Sequence, residues 1–375
     1  MSNIANIMGV AASGPDLRRF IYAADYGQKG IRTIDVTDPT SPSVVATLTD
    51  TTNLDGVYYT AIDLTNNVLL CTTIDGQRRV NAIDISNPLS LSISDTYQFA
   101  AGTYGGHEGS LAIDYANERL WLASGSSGDR LSALDYSTPT ALSLAGEFQS
   151  SAYADRPRNT MYVSSSQGDE SDEYVFYCEV DDDSLSAIDV SDISNITFER
   201  SRTDATYIGG DLGNIVYDDT NVWMWTSKTT RITAVDMNAN GNSIPSGAWS
   251  YTSSTTRSGT VSGGGRNIAE GCLAFDGSRK YGFTCGTYNV STWDFSTSGT
   301  SKSSSDEYFS ESLFFYGLAY DSVNQLLYAV EQDDFYVFDV SDITDMTIAG
   351  SITNAFTNAG GQGGRGCVLG YDPTA

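Results

Sequence analysis

Histidine is all but missing from this chain. His107 is the only one in 375 residues, so a site that holds a metal, a quinone or a haem through several histidines cannot be built here. The Gly-x-Ser-x-Gly turn of a serine nucleophile, a Cys-x-x-Cys pair and a glycine-rich phosphate loop are absent too, which removes three common routes to catalysis. Bases are scarce: 20 Lys and Arg stand against 47 Asp and Glu, a net charge of −27. Nucleic acid and anionic membranes are read by basic stripes, so neither is expected as a partner. There is no run of 18 apolar residues to cross a membrane. The first twenty residues lack the charged start and long apolar core of a leader. No membrane insertion and no uncleaved signal peptide are therefore expected.

What is present repeats. A short apolar strand that closes on Asp and runs into a polar turn occurs seven times, as TIDVTDP (33–39), AIDISNP (82–88), ALDYSTP (133–139), AIDVSDI (187–193), AVDMNAN (234–240), TWDFSTS (292–298) and VFDVSDI (337–343). The interval is roughly fifty residues with only short alternating segments inside it, the pattern of a propeller blade with several strands per unit. A second landmark recurs at the same interval: YTAIDLTNNVLLCTT (59–73), SLAIDYANERLWLAS (110–124), SAYADRPRNTMYVSS (151–165), NIVYDDTNVWMWTS (214–227), CLAFDGSRKYGFTCG (272–286) and GLAYDSVNQLLYAVE (317–331). Each reads as two strands, A and B, around a tight turn of Asn, Asp, Gly and Ser. The Asp-motif strand is then C, and SVVATLT, LSLAGEF, ITFERSR, GAWSYTS and TIAGSIT supply strand D.

The stretch FIYAADYGQKGIRTIDVTDPTSPSVVATL (20–48) resembles the LVIVD repeat, a bacterial and archaeal β-propeller family whose units run from Tyr-Val-Ala-Asp through a glycine turn to a strand closing on Asp-Val-Ser-Asp-Pro. The likeness is close in the first unit, fair at 82–88 and 187–193, and loose near Asp236 and Asp294. It implies architecture and says little of function.

The expected fold is all-β: one domain over 1–375, a seven-bladed β-propeller with about four antiparallel strands per blade. The units lie near 20–58, 59–109, 110–150, 151–213, 214–270, 271–316 and 317–375. The C-terminal strand (366–375) is expected to close the ring beside 20–26, with 7–13 competing for the same place. The D-to-A loops share one face, and His107, Glu108, Asp211, Arg266, Glu270, Glu311 and Arg365 are its ligand-face candidates. The plainer reading of the glycines in these loops is close backbone approach near the axis. On the opposite face, Asp38, Asn87, Asp192 and Asp342 are expected to cap the C-to-D turns. The insertion 165–183, placed between B and C of the fourth unit, offers Asp169, Glu170, Asp172 and Glu173 as oxygen ligands for Ca²⁺. It lacks the spacing of a preformed calcium loop, and no metal or cofactor is expected. Cys272 and Cys285 should lie directly opposite on strands A and B of the sixth unit, within disulfide reach, yet be free thiols like the other three.

Three function classes remain. The preferred one is a non-enzymatic structural or binding propeller, a component of a virus (bacteriophage) particle whose partners are other subunits of the assembly. The second is a bacterial surface or secreted adhesion propeller, extracellular, with a cell-surface glycan as partner. The third is a carbohydrate-active hydrolytic propeller with acids at the loop face.

Overall fold

The computed structural model describes residues 19–74, 78–100, 111–124, 129–152, 154, 157–164, 173–179, 184–203, 212–218, 223–228, 231–236, 257–260, 268–297, 299–302, 305–357 and 363–371. These residues form twenty-seven strands and, among them, no helix. β1 (Arg19–Asp25), β2 (Gly30–Asp35) and β3 (Ser43–Thr49) open the chain as an antiparallel meander. A second sheet holds β4 (Val57–Asp63), β5 (Val68–Thr73), β6 (Arg79–Asp84) and β7 (Ser92–Gln98). A third holds β8 (Ala112–Asp114), β9 (Arg119–Ser124), β10 (Arg130–Asp135) and β11 (Ser143–Gln149). The fourth runs β12 (Pro157–Val163), β13 (Tyr174–Glu179), β14 (Ser184–Asp189) and β15 (Thr197–Thr203).

The remaining strands form two larger sheets. In one, β16 (Leu212–Asp218), β17 (Trp223–Lys228), β18 (Arg231–Asp236) and β19 (Arg257–Thr260) are followed in space by a later strand. The other contains β20 (Ile268–Asp276) and β21 (Tyr281–Asp294). After β22 (Gly299–Lys302), which lies parallel to β19, it continues through β23 (Asp306–Asp321), β24 (Leu326–Glu331), β25 (Phe335–Asp339) and β26 (Thr347–Ile352). β21 and β23 are long because each serves two pairings. The start of β23 pairs with the end of β21, Asp306 opposite Thr292, while its end pairs with β24, Asp321 opposite Leu326. Finally β27 (Gly364–Tyr371) pairs antiparallel with β1, Ile21 opposite Leu369, so the first sheet reads β27-β1-β2-β3.

The burial of each strand follows its place in the sheet. β5 and β24, interior strands of their sheets, are buried at every position, whereas the last strands β3, β7, β11 and β26 alternate between exposed and half-buried. A strand covered on both faces reads as a continuous apolar run, such as VLLC or LLYAV, and an outer strand reads as alternation. The core is accordingly divided into layers between neighbouring sheets: Trp121 and Leu131 of the third sheet pack with Tyr162, Val175 and Tyr177 of the fourth. Tight turns join first and second strands, and Asn67, Glu118, Lys280 and Gln325 take left-handed φ at the same turn position.

Three expectations are corrected. In the fourth sheet PRNTMYV is the first strand and YVFYCE the second. The insertion therefore lies between the first two strands, and the first of them ends at Val163 rather than at an aspartate. The outer strand after β18 is β19 rather than 247–253, which lies outside the described residues. Cys285 is disulfide-bonded, while Cys71, Cys178 and Cys367 are buried free thiols. The β20–β21 register, with Leu273 opposite Thr284 and Ala274 opposite Phe283, extended by one step sets position 272 opposite Cys285. Directly opposed positions are close enough for a disulfide.

Candidate functional site

The aspartates that end the first strands serve the turns that follow them. Asp63 accepts from the Thr65 amide at 2.9 Å and from Asn66 Nδ2 at 3.0 Å; Asp114 and Asp321 repeat the arrangement with Asn117 and Asn324. On the same face Asp38, Asn87, Asp192 and Asp342 accept from amides two residues on, at 2.9 to 3.1 Å. The Thr40, Ser194 and Thr344 hydroxyls on Asp38, Asp192 and Asp342 hold those carboxyls below the ordinary value. These acids are turn caps.

The other face is different. Here the first strands begin, and Arg365 of β27 lies among three tyrosines. Its guanidinium carbon is 3.8 Å from the Tyr316 ring centroid, 5.2 Å from Tyr58 and 5.7 Å from Tyr26. Two glycines permit this. A Cβ on Gly366 would stand 3.0 Å from the Tyr58 carbonyl oxygen, and one on Gly317 would stand 2.8 Å from the Arg365 carbonyl oxygen. Side chains at either place would push β27 away from β4 or β23. Arg365 is only 2% exposed, and its Nη1 donates to the Gly364 carbonyl at 2.9 Å. A desolvated cation over aromatic faces contributes about 2 kcal/mol. Burial raises the Tyr316 hydroxyl above its ordinary value, against the opposing pull of Arg365.

Around this cluster the surface is aromatic and polar. Phe314, 37% exposed, stacks on Tyr316 at 5.9 Å, and Tyr58 meets Tyr59 at 4.8 Å. Two carboxylates end second strands on this face. Asp25 is tied to its own turn, accepting from Arg32 Nε at 2.7 Å and the Gln28 amide at 3.1 Å. Glu331 is buried, its neighbour Gln332 nearly so. A Cβ on Gly364 would stand 2.8 Å from the Glu331 carbonyl oxygen, which sets this carboxylate's strand against that of Arg365.

Of the loop-face candidates, the structure places Arg365 in full. The backbones of Glu270 and Glu311 lie in β20 and β23, with side chains outside the described set. His107, Glu108, Asp211 and Arg266 lie outside the described residues, as do Asp169, Glu170 and Asp172. Glu173 is placed on the opposite face, where Val190 donates its amide to the Glu173 carbonyl at 2.8 Å. Among the described residues no group of three His, Cys, Asp or Glu is arranged to hold a metal ion. The sequence reading missed Tyr26, Tyr58, Tyr316 and Glu331. Its available signal was the aromatic residue preceding both TAID and GLAYD.

No family matches the chain, and no curated protein matches it. Solved structures do. The periplasmic gluconolactonase PpgL of Pseudomonas aeruginosa is similar with a TM-score of 0.67 at 10% identity, over 94% of this chain and 99% of that one. A Bacteroides uniformis protein provisionally named a 6-phosphogluconolactonase gives 0.65 at 11% identity, over 90% and 96%. The C-terminal WD40 domain of Sif2 gives 0.56 at 10% identity, over 92% and 91%. At such identities the likeness establishes the fold alone, and that fold is a β-propeller. The expected non-enzymatic virion component is corrected: the propellers matched along nearly the whole chain include ones named for lactone hydrolysis, and virion localisation has no support. No helix among the described residues is long and apolar enough to cross a membrane.

Proposed function

We propose that this protein is a hydrolytic propeller that opens a small, neutral, sugar-derived lactone on the face where the first strands begin. The observation that carries the reading is Arg365, a buried cation among Tyr26, Tyr58 and Tyr316 at the meeting of three strand ends. Tyrosine rings offer flat faces to the C–H side of a sugar ring. Arg365 holds them in place and supplies positive potential for the oxygen that gains charge as water adds to the carbonyl. Glu331 is the carboxylate that takes the proton from that water. The named activities of the Pseudomonas and Bacteroides propellers agree with this class of reaction.

A seven-bladed ring belongs to the same reading. It is supported by the contacts of first strands in the order β4, β8, β12, β16, β20, β23 and β27, with β27 also touching β4. The double pairings of β21 and β23 support it as well, since they let one sheet count as two blades. The LVIVD resemblance accords with such a ring. A net charge of −27 disfavours a phosphorylated substrate. The test is lactone opening followed by acid release: a neutral aldonolactone is expected to be consumed at least tenfold faster than its 6-phosphorylated counterpart. Absence of turnover on both would overturn the proposal.

A further inference from the structure

The opposite face carries a pocket that the hydrolytic reading does not use. Where two neighbouring units meet on this face, a side chain of one turn reaches the next unit's turn. Asn66 Nδ2 donates to Glu118 Oε1 at 2.7 Å between the second and third sheets, and Arg279 Nη1 donates to Gln325 Oε1 at 3.2 Å at the equivalent place further along. In both cases the donor stands three residues after the strand-ending aspartate, and the acceptor is the residue that precedes the strand after the next turn, which starts at Arg119 (β9) or Leu326 (β24).

At the junction of the third and fourth sheets the equivalent residues are Asn117 and Glu173. Asn117 Nδ2 donates to Asp114 Oδ2 at 2.8 Å, as Asn66 Nδ2 does to Asp63 at 3.0 Å. Glu173 faces the Tyr162 hydroxyl, which also faces Asp114. The place of the bridge is a pocket of about 380 Å³ lined by Asn117, Arg119, Glu173, Ser191, Asp192 and Ile193. That size is at the lower end of small-molecule sites, about 300–1,000 Å³. In the fourth sheet ten residues separate the first strand, ending at Val163, from the second, starting at Tyr174, where the second and third sheets have a four-residue turn.

We propose that this pocket is a binding site for a small neutral polyhydroxy compound of monosaccharide size. Its lining alternates donors (Arg119, Asn117, Ser191) with acceptors (Glu173, Asp192), the array that matches vicinal hydroxyls. An anion is disfavoured because two lining acids face one base and the attraction of Arg119 is already directed at Glu173. A cation is disfavoured by Arg119 itself. Burial, the first cause, raises the Glu173 carboxyl above its ordinary value.

The site is separate from the Arg365 cluster, and the test keeps them apart. Isothermal titration of the full chain with D-glucose, D-galactose and myo-inositol is the measurement, with thermal melting as the check on folding. At least one of the three should bind, and Glu173→Ala and Arg119→Met should each weaken it tenfold or more, while Arg365→Ala leaves it unchanged. No binding of any of the three, or binding that Arg365→Ala removes and the pocket variants do not, would overturn the proposal.

Discussion

Residue by residue, the acids of this chain divide by what stands next to them rather than by type. Asp63 is buried and accepts from the Tyr136 hydroxyl at 2.9 Å as well as from its turn. Asp276 takes Tyr320 and Arg279 at 2.7 Å each, and its hydrogen bonds outweigh burial to hold it below the ordinary value. Glu173 is the opposite case. Burial is the leading cause and lifts its carboxyl, with Asp114 and Asp189 adding to the lift and Tyr162 and Arg119 opposing it. A carboxyl whose folded pKa is raised binds more protons in the folded state, so the wild-type protein loses stability as pH rises from the ordinary value, 4.5, through the raised one. Glu173→Gln has no such loss. Its melting temperature relative to wild type should therefore climb between about pH 4 and pH 7, and a constant or falling difference would contradict the assignment. Turn caps such as Asp38 and Asp192 were legible in the sequence because an Asx turn is local chemistry. The tyrosines around Arg365 were not, since Tyr26 lies in the turn after β1 while Tyr58 and Tyr316 lie in β4 and β23, and only packing brings them together.

Among the elements, the hairpin β20–β21 shows what a repeat can and cannot reveal. Its register was readable by aligning CLAFDGSRKYGFTCG on SLAIDYANERLWLAS, because the turn chemistry fixes which positions face each other. Whether the sulfurs are joined was not readable, since geometry permits both states. With Cys285 bonded and Cys71, Cys178 and Cys367 free, thiol titration of the denatured, unreduced protein should give three; five would contradict the bridge. The fourth sheet failed for a different reason. SAYADRPRNTMYV carries an Asp followed by a turn-like stretch, and MYV alternates equally well as a first or a second strand. Pairing decides, and β12 is the strand that pairs with β13. Outer strands were the least legible elements: with half their faces exposed they lack a continuous apolar run, and the segment 247–253 was preferred to β19 on composition alone.

For the whole molecule, the repeat was sufficient to specify an all-β propeller, and nothing in it specified the use to which one face is put. Among the described residues Asp63, Asp114, Asp276 and Asp321 cap equivalent turns of one face, whereas the other face breaks the equivalence at Arg365, on the strand β27 that pairs with β1. A net charge of −27 turns away anions. On the proposed reading this favours neutral sugar derivatives as substrates of the tyrosine-lined face. The measurement that bears most directly on this account is the kcat/KM for a neutral aldonolactone in wild type, Tyr316→Ala and Glu331→Gln, each checked for native melting. The account predicts a fall of tenfold or more in both variants, with Tyr316→Ala raising KM and Glu331→Gln lowering kcat. Turnover that is unchanged in both folded variants would contradict it.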